Sequence, residues 1–168
     1  EDSTRENPFT DLDENSFYYD PVMDLYEAGI IGGYTDSTIR TGQGVNRAEL
    51  ITILVKGMGI TPAPYRNCFL DVSEEWFAPY VCYAKVQGWV KGYPDGTFHP
   101  EWTANKVEVI KIIFKAVGIE ADEAEDDEEW YAPYVRKAEE LGLINTEFFV
   151  AWKEAQRGFA FWVLSEVL

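Results

Sequence analysis

The chain is poor in the residues that most often build metal centres and catalytic sites. It contains one histidine, His99, and two cysteines. CxxC and HExxH spacings and glycine-rich phosphate loops are absent, which excludes the common zinc and nucleotide sites recognised by those motifs. His99 has no serine or cysteine nucleophile motif beside it, so a packing role in a loop is favoured. We therefore expect no enzyme, no catalytic residue, no metal centre and no cofactor.

The chain also has no long apolar run and few basic residues. A membrane span needs about 18 or more consecutive apolar residues, so membrane insertion is not expected. Fourteen basic residues against thirty acidic ones give a net charge of −16, which would repel nucleic acid. Eight of the acids lie between Glu120 and Glu129, a stretch that is typical of a solvated linker. The chain begins at Glu1 without methionine or an apolar signal segment, so we expect a processed or trimmed piece.

The apolar and aromatic residues form a sequence pattern that recurs three times. A shift of 59 residues places Phe17 on Trp76, and a further shift of 54 places residues 76–81 (WFAPYV) on 130–135 (WYAPYV). Repeats of this length pack together to bury faces that one unit leaves exposed. We therefore expect one domain made of an N-terminal tail (1–8), two units (9–60 and 61–119), and a degenerate third unit (120–168) that starts with the acidic linker 120–129.

Each unit is predicted to be two helices around a loop, which makes the fold all-α. The first helices are expected at about Tyr18–Ala28, Phe77–Gln87 and Tyr131–Leu141, each followed by a glycine that can end it. The second helices open with Asn46 and Asn105, each followed three residues later by glutamate, as in a capping box. Apolar residues then recur at i, i+3, i+4 and i+7, which indicates a buried helix face.

The order of motifs in the second unit resembles the S-layer homology (SLH) family. FLDV at 69–72, WFAPYV at 76–81 and GYPDGTFHP at 92–100 follow one another, and NRAE at 46–49 is similar to the family's TRAE-like tetrapeptide. The resemblance covers residues 9–168 and is partial in the third unit. It implies a pseudo-threefold bundle of three SLH repeats that anchors a larger extracellular protein to the cell envelope without covalent bonds.

The resemblance also implies where a partner binds. In many members, grooves between repeats bind a cell-envelope polysaccharide of the secondary cell-wall type, and the base of the tetrapeptide meets its acidic group. Carried over by position, the glycan-binding residues are the bases Arg47, Lys106 and Arg157, the aromatic residues Phe17, Trp76 and Trp130, the aspartates Asp11 and Asp71, and the loop residues Gly33, Tyr34, Gly92 and Tyr93. Lysine cannot reproduce the bidentate fork of arginine, and Phe159 stands where Glu49 and Glu108 stand, so we expect at most one or two working grooves.

Each assignment has a structural alternative. The three bases are explained equally well by first-turn surface charge or by pairing with an acid of a neighbouring repeat. A core position is favoured for Trp76 and Trp130, since tryptophans are usually largely buried. As a whole, the chain could instead be a protein–protein interaction module of a surface layer, contacting neighbouring surface-layer proteins with no intact glycan site. A hydrolase fragment is a third, weaker hypothesis.

Two further features concern the cysteines and calcium. The extracellular location implied by the resemblance favours a disulfide between Cys68 and Cys82, and two buried thiols are the alternative. Residues 11–15 (DLDEN) imitate the start of a calcium loop, but Ser16 and Val22 stand where glycine and glutamate are needed. We therefore expect no calcium loop, although diffuse calcium binding to so acidic a chain stays open.

Overall fold

The computed structural model describes residues 5–168, and that part of the chain contains six helices and no strand beyond isolated bridges. The helices are α1 (Tyr19–Glu27), α2 (Arg47–Gly57), α3 (Ala78–Val86), α4 (Lys106–Val117), α5 (Ala132–Glu140) and α6 (Arg157–Val167). The all-α class is confirmed, and the predicted first helices differ from the observed ones by one residue at each end. None of the described helices combines the length and the apolar character that a membrane crossing requires.

Local side-chain chemistry sets where the helices begin and end. Asn105 and Glu108 form the full capping box at α4, and Asn46 accepts a hydrogen bond from the Glu49 N–H at α2. At α6, Gln156 occupies the cap position without a side-chain cap bond. The first helix of the second unit is followed by Gly88 at φ +78°, a left-handed conformation that glycine adopts without strain.

The six helices pack around a pseudo-threefold axis. The second helices of the units (α2, α4 and α6) contact one another at the centre. The outer helices α1, α3 and α5 pack on α6, α2 and α4, each of which belongs to a different unit from its own. No unit therefore buries its own apolar face alone, and a single core extends through all three units.

Backbone hydrogen bonds close the three units into a ring at the axis. The Val45 N–H donates to the Ala155 carbonyl at 3.0 Å, the Ala155 N–H to Ala104 at 2.8 Å, and the Ala104 N–H to Val45 at 3.0 Å. Val45, Ala104 and Ala155 are each fully buried. We call these three bonds the axial ring. The last unit is therefore bonded directly to the first.

Outside the helices, a disulfide and an ion cluster fix two long segments. Cys68 and Cys82 are joined, as predicted, which ties residues 61–72 to α3. Arg5 pairs with Asp20, Asp24 and Glu27 on α1. The predicted N-terminal tail spans residues 1–8, of which 1–4 lie outside the described residues.

Candidate functional site

Two cavities lie at equivalent seams of the bundle. Groove 1 has a volume of about 250 Å³ and is lined by Ile30, Ile31, Gly32, Gly33, Tyr34, Glu49, Thr52, Ile53, Lys56, Trp76 and Arg157. Groove 2 has a volume of about 330 Å³ and is lined by Arg47, Trp89, Val90, Lys91, Gly92, Tyr93, Asn105, Glu108, Lys111, Ile112, Lys115, Trp130 and Trp152. Each groove uses the loop and second helix of one unit, an aromatic residue of the next unit, and an arginine of the remaining unit. Every groove therefore needs all three units, whereas the sequence led us to expect grooves between two.

Eight of the twelve predicted binding residues line these grooves, four in each. Groove 1 contains Gly33, Tyr34, Trp76 and Arg157, and groove 2 contains Gly92, Tyr93, Trp130 and Arg47. The other four, Lys106, Phe17, Asp11 and Asp71, line neither groove.

Arg47 is a buried arginine that bridges two units. Its Nε donates to the Phe98 carbonyl at 3.0 Å and its Nη1 donates to Glu108 Oε1 at 2.7 Å. The guanidinium carbon lies 4.6 Å from the Phe98 ring centre and 5.4 Å from that of Tyr93. Of the two alternatives to ligand binding, surface charge is wrong, and pairing with an acid of a neighbouring repeat is observed.

The remaining donor group of Arg47 has no protein partner among the described residues. Nη2 makes no hydrogen bond with any described residue, although Arg47 is only 6% exposed. Within the described residues, no buried side-chain nitrogen or oxygen lacks a partner, so Nη2 is accessible from the cavity that Arg47 lines. Two donors are thus fixed by protein and a third is left for an occupant.

Arg157 repeats this arrangement at groove 1. Its Nε donates to the Ile39 carbonyl at 3.1 Å and its Nη1 to Glu49 at a longer 3.4 Å. Its guanidinium lies over the rings of Tyr34 and Phe161, at 5.0 and 5.2 Å. It is therefore an inter-unit bridge like Arg47, with a weaker ion pair.

Lys106 occupies the third seam and forms no ion pair with an acid among residues 5–168. Its Nζ lies 5.4 Å from the Phe159 ring centre and 5.8 Å from that of Phe149. Burial, together with the charge of Lys153, lowers the pKa of Lys106. Lys106 therefore has an apolar neighbour, Phe159, whereas Arg47 and Arg157 each pair with a glutamate at the equivalent position.

Two aromatic side chains meet at the third seam. Phe17, which corresponds to Trp76 and Trp130, packs against Trp162 with ring centres 4.8 Å apart. The Trp162 indole N–H donates to the Leu143 carbonyl at 3.0 Å. Phe17 thus contacts another aromatic ring and contributes to neither groove.

Asp11 and Asp71 have structural partners for both carboxylate oxygens. Asp71 accepts the backbone N–H groups of Phe98 and His99 at 2.7 and 2.8 Å, and Asp11 accepts those of Ile39 and Arg40 at 2.8 and 2.9 Å. They hold the end of the loop that supplies the carbonyl bonded to each arginine. Both are positioning residues in this structure.

Gly92 is required by close packing in its loop. Its φ is +75°, and a Cβ there would lie 2.5 Å from Phe69 Cε1 and 2.7 Å from the Thr97 carbonyl oxygen. Gly33 is equally confined, with Phe9 Cε1 2.6 Å from the position of a Cβ. The prediction that the glycines serve backbone geometry explains both positions.

Trp76 and Trp130 are not core residues, so the core prediction is wrong for both. Trp76 is 65% exposed and Trp130 is 43% exposed. Each precedes the outer helix of its unit and stands at the rim of a groove, with its ring edge against the next aromatic residue. Part of each tryptophan ring is therefore exposed and can contact a ligand bound in the groove.

Groove 2 carries three lysines that motif comparison did not select. Lys91, Lys111 and Lys115 join Arg47 around the single carboxylate of Glu108. Groove 1 has two cations, Arg157 and Lys56, with Glu49. Glu108, Lys111 and Lys115 are spaced i, i+3 and i+7, and this helical periodicity was the signal that could have located them.

The electrostatics of groove 2 are most evident at Lys111. Its Nζ lies 4.5 Å from the centre of the Trp130 ring. The pKa of Lys111 is lowered, first by burial and then by the charges of Lys115 and Lys91, while Glu108 opposes the shift. An anion in groove 2 would relieve this repulsion.

Comparison with known proteins identifies the repeats. A family model described as "S-layer homology domain" matches residues 8–51 and 69–101, the first two units. The first two units belong to the S-layer homology family. The Middle cell wall protein of Brevibacillus brevis is 29% identical over 130 residues, which are 74% of this chain and 12% of that protein. The Cellulosome-anchoring protein of Acetivibrio thermocellus is 25% identical over 65% of this chain and 26% of that protein.

This S-layer homology chain spans only a small part of its curated relatives. For the Cell surface protein of Thermoanaerobacter kivui, 26% identical, the match covers 82% of the chain but 18% of the relative. The chain is a cell-surface anchoring module, and the predicted location at the surface of the cell envelope is confirmed.

Proposed function

We propose that the chain binds an acidic cell-envelope polysaccharide of the secondary cell-wall type, with groove 2 as the main site, and so holds a larger protein at the cell surface. The observation that carries this proposal is the local reversal of charge. Groove 2 has four cationic side chains and one carboxylate, in a chain with a net charge of −16. Close contact with these cations offsets the long-range repulsion between an acidic polymer and an acidic protein.

The side chains of groove 2 match the two surfaces of an acidic sugar. The guanidinium of Arg47 and the ammonium groups of the lysines suit a carboxylate or ketal acid. The rings of Trp130 and Trp152 offer apolar faces to a pyranose ring, while hydrogen bonds form at its edge. Groove 1 has the same kind of ring and base in Trp76 and Arg157, but less excess positive charge, so we propose it as the weaker site.

Calorimetric titration with purified wall polysaccharide tests this proposal. Lys111→Gln should weaken binding about tenfold or more, since hydrogen bonds to charged groups contribute about 1.5–3 kcal/mol. Lys137→Gln is the matched control, because it makes the same change in net charge on α5, where Lys137 pairs with Glu140. Trp130→Ala should also weaken binding, whereas Phe148→Ala, at an exposed ring outside both grooves, should not.

Equal losses in Lys111→Gln and Lys137→Gln would contradict a specific site, since only net charge would then matter. The titration is repeated with calcium chloride, because diffuse calcium binding stays a prediction. A calcium-dependent affinity that Lys111→Gln leaves unchanged would place the interaction outside groove 2.

We also propose that residues 120–168 form a third, diverged repeat. The family model does not cover them, but α5 and α6 complete the threefold packing and the axial ring. The chain's lack of enzymatic activity stays a prediction, and any catalysis would belong to other parts of the parent protein.

Assembly with neighbouring surface-layer proteins is the second candidate function. Phe148 and Val150, on the loop of the third unit, are 75% and 55% exposed and line neither groove. Sedimentation velocity tests this function: self-association lost in Phe148→Ala but retained in Lys111→Gln would favour it over glycan binding.

A further inference from the structure

We propose that groove 1 continues past Trp76 into a second cleft that binds an adjacent, uncharged sugar of the same polymer. This inference rests on the proposed function and adds a second subsite to it. Trp76 lines groove 1 and also lines a separate cavity of about 560 Å³ on the second unit. We call this cavity the side cleft. Trp76 is therefore the residue at which a glycan chain would pass from groove 1 into the side cleft.

The walls of the side cleft are suited to a pyranose ring. Tyr65 and Trp76 are 42% and 65% exposed, and Pro64 and Pro79 lie beside them. Exposed aromatic rings bordered by rigid prolines present fixed apolar faces at low cost in conformational entropy. The Tyr65 phenol and the carboxylates of Glu74 and Glu75 also line the cleft and can form hydrogen bonds with the hydroxyl groups of a sugar.

The charges of the side cleft favour a neutral sugar over an acidic one. Its single cation, Arg66, pairs with Glu74 at 2.9 Å. Glu75 also lines the cleft, and its Oε2 accepts the Ser73 N–H at 2.7 Å. An acidic sugar would meet an excess of carboxylate here, in contrast to groove 2. The side cleft is therefore suited to the uncharged sugars of the polymer, and the grooves are suited to its acidic sugars.

The wall that carries Tyr65 is held in place by covalent and backbone bonds. Cys68, three residues later, is bonded to Cys82 on α3. The Asn67 N–H donates to the Ser73 carbonyl at 3.0 Å. The disulfide thus fixes the Tyr65 segment relative to the start of the helix that follows Trp76.

Tyr65 of the side cleft has no aromatic counterpart at the aligned positions. By the shifts that align the units, Tyr65 corresponds to Glu6 in the N-terminal tail and to Ile119 at the end of the second unit. Neither offers an aromatic face next to Phe17 or Trp130. The difference provides a test, because only ligands bound in groove 1 should gain from a longer chain.

The experiment measures affinity against fragment length. Fragments of purified wall polysaccharide, graded from one to four sugars by partial hydrolysis, are titrated into the wild-type chain and into a Trp130→Ala chain with groove 2 impaired. In the Trp130→Ala chain, longer fragments should bind about fivefold more tightly than a single acidic sugar, the gain typical of one aromatic contact. Adding Tyr65→Ala should abolish that gain, while Tyr65→Phe should keep most of it and Phe148→Ala all of it.

Each outcome bears on one hypothesis. A length-dependent gain that Tyr65→Ala removes supports the side cleft. A gain that survives Tyr65→Ala, or no gain with length, overturns the side cleft and leaves the proposed function intact. Loss of all binding in Trp130→Ala, with the wild type still binding, likewise overturns the side cleft only. No binding of any fragment to the wild-type chain overturns the proposed function and the side cleft together.

Discussion

Replacing each base of the TRAE-like positions by alanine should reduce the free energy of unfolding by a different amount at each of the three seams. Arg47→Ala removes two hydrogen bonds from a buried guanidinium, to the Phe98 carbonyl and to Glu108. Breaking a buried ion pair costs about 3–5 kcal/mol, and the 24% exposure of the Glu108 side chain places this pair near the lower end. We expect a loss of about 3 kcal/mol in the free energy of unfolding.

Lys106→Ala should behave differently at the third seam. The Lys106 side chain has no ion pair or hydrogen bond with a described residue, and burial already disfavours its charge. Its removal should change the free energy of unfolding by less than about 1 kcal/mol. Arg157→Ala should fall between these values, because its ion pair is longer, 3.4 Å against 2.7 Å.

Urea unfolding followed by circular dichroism measures these differences. With an m-value of about 2 kcal/mol/M, the midpoint for Arg47→Ala should fall by about 1.5 M and that for Lys106→Ala by less than about 0.5 M. A double-mutant cycle of Arg47→Ala with Glu108→Gln should give a coupling energy of about 1 kcal/mol or more. Equal midpoints for the Arg47 and Lys106 variants would refute the inter-unit role of Arg47.

Three further predictions concern groove 2, the loop and the disulfide. Lys111→Met should raise the thermal midpoint at pH 7 while weakening polysaccharide binding. Burial is the main cause that lowers the pKa of Lys111 from 10.5, so the protonated side chain destabilises the folded state. The stability advantage of Lys111→Met should therefore disappear as the pH rises from the lowered pKa of the folded state to 10.5. Asp71→Ala leaves two backbone N–H groups without their acceptor and should cost about 2 kcal/mol in urea unfolding; a change under about 0.5 kcal/mol would contradict its positioning role. Reduction of the disulfide, which spans 14 residues, should lower stability by about 3 kcal/mol, measured by unfolding with and without a reductant; no change would show that residues 61–72 hold their place without it.

Local structure followed from the sequence because its signals are local. The capping box of Asn105 and Glu108 involves residues three apart, and the glycine after each first helix acts on its own φ. Both effects depend only on residues that are close in the sequence and belong to the same unit. They correctly predicted the helix order, the all-α class and the ends of the three first helices to within one residue.

The site was harder to predict because its geometry joins distant parts of the chain. Arg47 meets Glu108 across 61 residues, and Arg157 meets Glu49 across 108, and no signal within one unit identifies such partners. The prediction for Trp76 failed for a related reason. Burial statistics describe an average tryptophan. The exposure of the Trp76 ring depends instead on how the other units pack around it.

The axial ring has a consequence for the order in which the anchor becomes usable. The Val45 N–H of the first unit obtains its acceptor only when Ala155 is in place, near the far end of the module. Groove 1 likewise lacks Arg157 until the same stretch has been added. Groove 2 needs Trp130 and Trp152 of the third unit, so both proposed binding grooves stay incomplete until the last unit has been added and has closed the bundle.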